Sequence, residues 1–70
     1  MPHISIKMYP GRSEELKKNI SLKVRDTLVE EMGMDAKYFS VSVEEVEKDK
    51  WQEEVVDKID DKDLYVEANF

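Results

Sequence analysis

Residues 1–12 read MPHISIKMYPGR. After Met1-Pro2 the side chains alternate: Ile4, Ile6 and Met8 point one way, and His3, Ser5, Lys7 and Tyr9 the other. A period of two is the pattern of a half-buried strand, expected here over residues 3–9. Pro2 suits the start of such a strand because it has no amide hydrogen to offer the ladder. Pro10-Gly11 closes the strand with restricted and then permissive backbone.

The period then changes. Leu16, Ile20, Val24, Leu28 and Met32 recur every four residues, a slowly drifting stripe on a helix expected over residues 14–32. Ser13 can cap it, Glu14 and Glu15 suit its first turn, and Gly33 suits its C-terminal stop. Leu22 and Val29 fall on the far side of the stripe, as scattered surface residues or a subunit contact. Residues 39–45 restore the alternation, with Phe39, Val41 and Val43 opposed to Ser40, Ser42 and Glu44. Strand, long helix and strand in this order imply a right-handed crossover between two parallel strands. The expected fold class is therefore α+β, a single β-α-β domain over residues 1–70. Two strands and one helix leave sheet edges unpaired, so a second subunit is expected to complete the sheet.

Past Val46 the pattern weakens. Asp49 and Gln52 resemble a capping box, which predicts a short helix from Lys50 to about Ile59 with Trp51, Val55 and Ile59 on one face. Asp60 to Asp63 is a solvated charge run. Leu64-Tyr65-Val66 is expected as a short third strand and residues 67–70 as a tail.

Composition excludes several functions. The 70 residues contain no Cys and one His, so there is no thiolate chemistry, and a zinc site is not expected. Seventeen acidic against 11 basic residues give a net charge of -6, which disfavours nucleic acid. No apolar run is long enough for a membrane span or a signal peptide, so a cytoplasmic protein is expected. A chain this short buries only about 60% of its extended surface, a further reason to expect an oligomer.

Three residues can carry chemistry. If Met1 is removed, as is common before a small residue, Pro2 becomes a secondary amine. Chain-terminal amines titrate near 7.7–8.0, and burial beside cations lowers that value. The neutral amine is then a general base or a nucleophile on a rigid ring. With Met1 retained, the same nitrogen is an amide with no basic lone pair. Arg12, just past the Pro-Gly turn, can hold a carboxylate bidentately. Trp51 can wall a site against water. Taken singly, each has an ordinary structural role as well. Lys7 and Lys17 can add positive potential. His3 alternates away from Ile4, and a histidine so placed is more often a surface or packing residue than a base; the spacing of the three tyrosines indicates nothing specific, and the adjacent pairs Glu30-Glu31, Glu44-Glu45 and Glu53-Glu54 do not suggest paired acid–base carboxylates.

Taken together, Pro2, the alternating strand, Gly11-Arg12-Ser13, the long helix, the Val-rich second strand and Trp51 resemble the 4-oxalocrotonate tautomerase family. The likeness is strongest to small bacterial relatives with a Met-Pro-His-Ile start, and it covers about residues 2–59. The resemblance implies that Pro2 is the catalytic base for keto–enol proton transfer and that Arg12 binds the substrate carboxylate. Trp51 takes the place of a site-walling phenylalanine. It implies no cofactor, a small-molecule carboxylate substrate, and a homodimer or a hexamer of three dimers. Ser40 stands where the family has a second arginine, so a simpler enol, such as that of an aryl-pyruvate, fits better than a dicarboxylate. The alternative is a non-catalytic binding or assembly protein that keeps the fold.

Overall fold

The alternating and helical stretches form the elements their periods predict. In the computed structural model, which describes residues 1–69, β1 spans His3–Met8, α1 Glu14–Met32 and β2 Ser40–Glu45. The strands pair in parallel, from His3 opposite Ser40 to Met8 opposite Glu45. The fold is α+β, a β-α-β unit with the helix as the connection.

Each strand is one residue shorter than the alternation implies. The Val46 N–H donates to the Met8 carbonyl at 2.9 Å, and Pro10 has no amide hydrogen to carry the ladder further, so Tyr9 lies outside. Phe39 is left out because its N–H donates to the Ala36 carbonyl at 3.1 Å, closing a 3-10 turn over Ala36–Tyr38.

The caps of α1 are the expected ones. Ser13 Oγ accepts from the Leu16 N–H at 3.1 Å. Gly33 adopts φ 64°, in the left-handed region where glycine has no Cβ penalty, and its N–H donates to the Val29 carbonyl at 2.9 Å. The half-buried face is broader than the four-residue stripe. It includes Ile20, Val24 and Leu28 with Lys17 and Val29, so Val29 belongs with it and not on the far side. Leu16, Leu22 and Met32 remain exposed.

Only Phe39 and Val46 are buried among the described residues. The reason is width. Two strands about 5 Å apart make a sheet no wider than the helix, about 10 Å across, that packs on it. Ile4, Ile6, Met8, Val41 and Val43 are therefore only half-buried, and the free edges of both strands carry unpaired backbone groups.

The second half departs further from expectation. The helix read from Lys50 to Ile59 is broken into a 3-10 turn at Lys48–Lys50, one short helix, α2, at Trp51–Glu54, and another 3-10 turn at Val56–Lys58. Val55, the first of two adjacent β-branched residues, sits at φ -118° and ψ -65°, off helical values. Glu53 and Glu54 at the C-terminal end also oppose the helix dipole. The Asp49–Gln52 box does not form: α2 has no side-chain cap, and Gln52 Nε2 donates to Asp57 Oδ1 at 2.8 Å instead. Leu64-Tyr65-Val66 is not a strand. Tyr65 and Val66 are 92% and 87% exposed, with no neighbouring strand to pair with among the described residues. Phe70, in the expected tail, lies outside the described residues. No helix among those residues is long and apolar enough to cross a membrane.

Candidate active site

The sequence-derived site residues occupy the two ends of β1. At the start, Pro2 is half-buried and fixed by its carbonyl, which accepts from the Ser40 N–H at 3.2 Å. Met1 beyond it is 99% exposed, so nothing on the surface shields the Met1–Pro2 bond. Beside Pro2, His3 bridges the second strand: Nδ1 lies 2.7 Å from Ser40 Oγ and Nε2 lies 3.1 Å from Ser42 Oγ. A neutral ring donates at one nitrogen and accepts at the other. A protonated ring donates at both, and the serine hydroxyls can rotate to suit either state.

The far end carries the aromatic and charged groups. Tyr9 and Trp51 meet edge to face, with ring centroids 4.9 Å apart and planes at 79°. They form part of an open groove of about 690 Å³ that is also lined by Lys48, Val55, Ile59 and Leu64. Next to Tyr9 the chain turns through Gly11 at φ 115°. The Gly11 N–H donates to Glu45 Oε2 at 3.2 Å, which ties the turn to the end of β2. Lys17 Nζ lies 2.9 Å from Glu14 and 3.6 Å from Glu45. Its pKa is raised above the ordinary 10.5, chiefly by the hydrogen bond to Glu14, with attraction to both carboxylates outweighing partial desolvation.

Lys7, for its part, pairs with Glu44 at 3.3 Å. Of the three cations that the sequence singles out near the site, only Arg12 forms no ion pair among the described residues. It is exposed, and its guanidinium is free to take an anion.

One chain does not bring these groups together. Five steps of about 3.3 Å separate the ends of β1 by about 17 Å. Arg12 and Trp51 are held at the Met8 end, through Gly11 and Tyr9, while Pro2 is at the His3 end. Three features were not legible as site elements in the sequence. Tyr9 as the partner of Trp51 and the His3–Ser40–Ser42 bridge had no distinguishing spacing. Glu45 did carry a signal, because alternation sets it on the same face as Val41 and Val43, where a lone carboxylate needs partners.

Known proteins are similar to this chain over most of its length. A probable tautomerase of Xylella fastidiosa is 36% identical over 55 residues, covering 79% of this chain and 67% of the relative. Tautomerase PptA of Pectobacterium carotovorum is 38% identical over 60 residues, covering 84% and 79%. The 2-hydroxymuconate tautomerase of Bacillus subtilis is 35% identical over 51 residues, covering 73% and 82%. These likenesses set aside the non-catalytic alternative. With residues 2–59 matching the model of the family described as tautomerase enzyme, the chain belongs to the tautomerase family and is an isomerase of that kind.

Proposed function

We propose that the protein is a cytoplasmic, cofactor-free keto–enol tautomerase whose site is shared between two subunits, with Pro2 as the base. The observation that carries this is the position of the candidate groups at opposite ends of a strand whose outer edge is free. Antiparallel pairing of β1 with its copy, about a two-fold axis between Ser5 and Ile6, sets Pro2 opposite Tyr9 of the partner subunit. The Arg12 turn and Trp51 of that subunit then flank the amine. Dimers are the smallest assembly that completes the site, and a hexamer of three dimers keeps it.

After Met1 removal, the neutral Pro2 amine takes the enol hydroxyl proton. The C=C pair moves to carbon as the C=O forms, and the ammonium returns a proton to that carbon. Arg12 holds the carboxylate and so orients the enol against the amine, and Trp51 excludes water. With Ser40 in β2, and Arg12 the one arginine without an ion pair among the described residues, the preferred substrate is the enol of a monocarboxylic α-keto acid.

The test compares processed protein with protein that keeps a residue before Pro2, each verified by intact mass. Conversion of an aryl α-keto acid enol is followed by ultraviolet absorbance. Processed protein is expected to turn over and extended protein not. Equal turnover by both forms rules out Pro2 as the base.

A further inference from the structure

We infer that Glu45 is a positioning residue that fixes the carboxylate-binding end of the site by holding the Gly11–Arg12 turn against β2. This rests on the reading of Arg12 as the partner of the substrate carboxylate. Strand alternation places Glu45 on the helix-facing side with Val41 and Val43, and its side chain is 35% exposed against 64% for Glu44 next to it. The Glu45 residue is exposed, and its carboxylate nonetheless has two partners. One oxygen accepts from the Gly11 N–H at 3.2 Å and the other lies 3.6 Å from Lys17 Nζ.

The turn has little else to hold it. Gly11 sits at φ 115°, and a Cβ built there would meet nothing within 4 Å, so no packing fixes this point. The Glu45 bond is the contact that ties the residue before Arg12 to the sheet.

Lys17 gives the arrangement its second property. A carboxylate beside an arginine ordinarily captures it in a bidentate pair. Here the Lys17 ammonium, on a side chain only 14% exposed and hydrogen-bonded to Glu14 at 2.9 Å, already occupies Glu45. Among the described residues Arg12 has no acidic partner. Glu45 thus fixes where the arginine starts, and Lys17 keeps Glu45 from neutralising it. This is preorganisation of an anion site by balancing the charges around it.

The test uses the processed protein and two substrates, the enol of an aryl α-keto acid and its methyl ester, which lacks the charge. Glu45→Ala is expected to raise KM for the acid about tenfold with kcat within about twofold and the ester unaffected, the pattern of lost ground-state binding. Glu45→Gln keeps an acceptor for the Gly11 N–H and is expected to recover most of the loss. The double variant E45A/R12A is expected to be no worse than R12A, since the two act through one group. Lys17→Met is expected to raise KM for the acid by freeing Glu45 to capture Arg12, and K17M/E45Q to restore it, which keeps the idea testable where E45A does not fold. Unchanged KM for the acid in E45A, with R12A impaired, overturns the role of Glu45 and leaves that of Arg12 intact. Equal losses in E45A and E45Q overturn it as well. If R12A itself discriminates acid from ester as the wild type does, the fault lies with the Arg12 reading beneath it.

Discussion

The two ends of β1 are held by different forces. At the His3 end the contacts among the described residues are a backbone hydrogen bond to Pro2 and two hydroxyl–imidazole contacts, none of them to a carboxylate. At the Met8 end the contacts are ionic and aromatic: Glu45 between Gly11 and Lys17, and Tyr9 against Trp51. An amine that must stay neutral near pH 7 is better placed away from carboxylates, which favour its charged form. A guanidinium that must take a substrate anion is better placed where nearby acids are already matched. One short chain keeps these requirements about a strand length apart, and in the proposed dimer a second copy reunites them.

The largest effect comes from crossing the two ends. A chain extended before Pro2 is expected to lose activity by about 10²–10⁴-fold, the usual contribution of a general base. Arg12→Ala is expected to be defective for a different reason. Refolding the two together in equal amounts yields mixed dimers, half of the total, each with one site that has both an intact Pro2 and an intact Arg12. Recovery to about a quarter of wild-type turnover is therefore expected. Absence of recovery places the whole site within one chain and breaks the comparison.

Next in size is Arg12 alone. Arg12→Ala is expected to raise KM for the carboxylate substrate by about 10- to 100-fold, as for a lost charge-assisted pair, with a smaller change in kcat. Arg12→Lys is expected to recover only part, because an ammonium cannot reproduce the planar fork. A KM unchanged in both variants removes Arg12 from the anion site.

The unequal legibility of the chain has the same physical origin as this division. From His3 to Glu45, period, caps and turn residues all agreed, and β1, α1 and β2 appear within one residue of their expected bounds. Local rules decide such elements. Pro2, Arg12 and Trp51 are legible as candidates by residue type and resemblance, but their separation along β1 follows only from the packing of Trp51 on Tyr9 and the tie of the Gly11 turn to Glu45. The segment after Val46 misled because its apolar side chains have little of this chain to pack on. Trp51, Val55 and Ile59 promised a helix face, yet the two valines interrupt it, and Tyr65 and Val66 are left in water. In sequence Glu45 reads as half of an acidic pair, although strand alternation turns its neighbour Glu44 the other way.

A smaller effect tests whether the aromatic end stands by itself. Trp51→Ala removes the edge contact with Tyr9, worth about 0.5–1.5 kcal/mol beyond area burial. In a domain of this size a loss of about 1 kcal/mol lowers the melting temperature by roughly 4–8 °C. The cycle of Trp51→Ala, Tyr9→Ala and the double variant is expected to show coupling of that order. Strict additivity in thermal melts would mean that the pair is adjacent without being coupled.

The smallest effect separates the charges at the Met8 end from the titration of the base. Lys17 has its pKa raised, first by the Glu14 hydrogen bond. A raised value means that the folded state favours the protonated form. The stabilisation is fully present below the ordinary lysine value of 10.5 and is lost only as pH climbs through the higher folded value. The melting difference between wild type and Lys17→Met is therefore expected to show no Lys17 titration from pH 6 to 9 and to shrink above the ordinary value. Activity over the same neutral range is expected to rise with pH as the Pro2 amine loses its proton, with Lys17 protonated throughout. If the activity limb in K17M disappears while its fold persists, the charged end titrates the reaction and the division between the two ends of β1 is wrong. A limb that persists in K17M and vanishes on extension before Pro2 assigns the neutral titration to the amine at the other end of the strand.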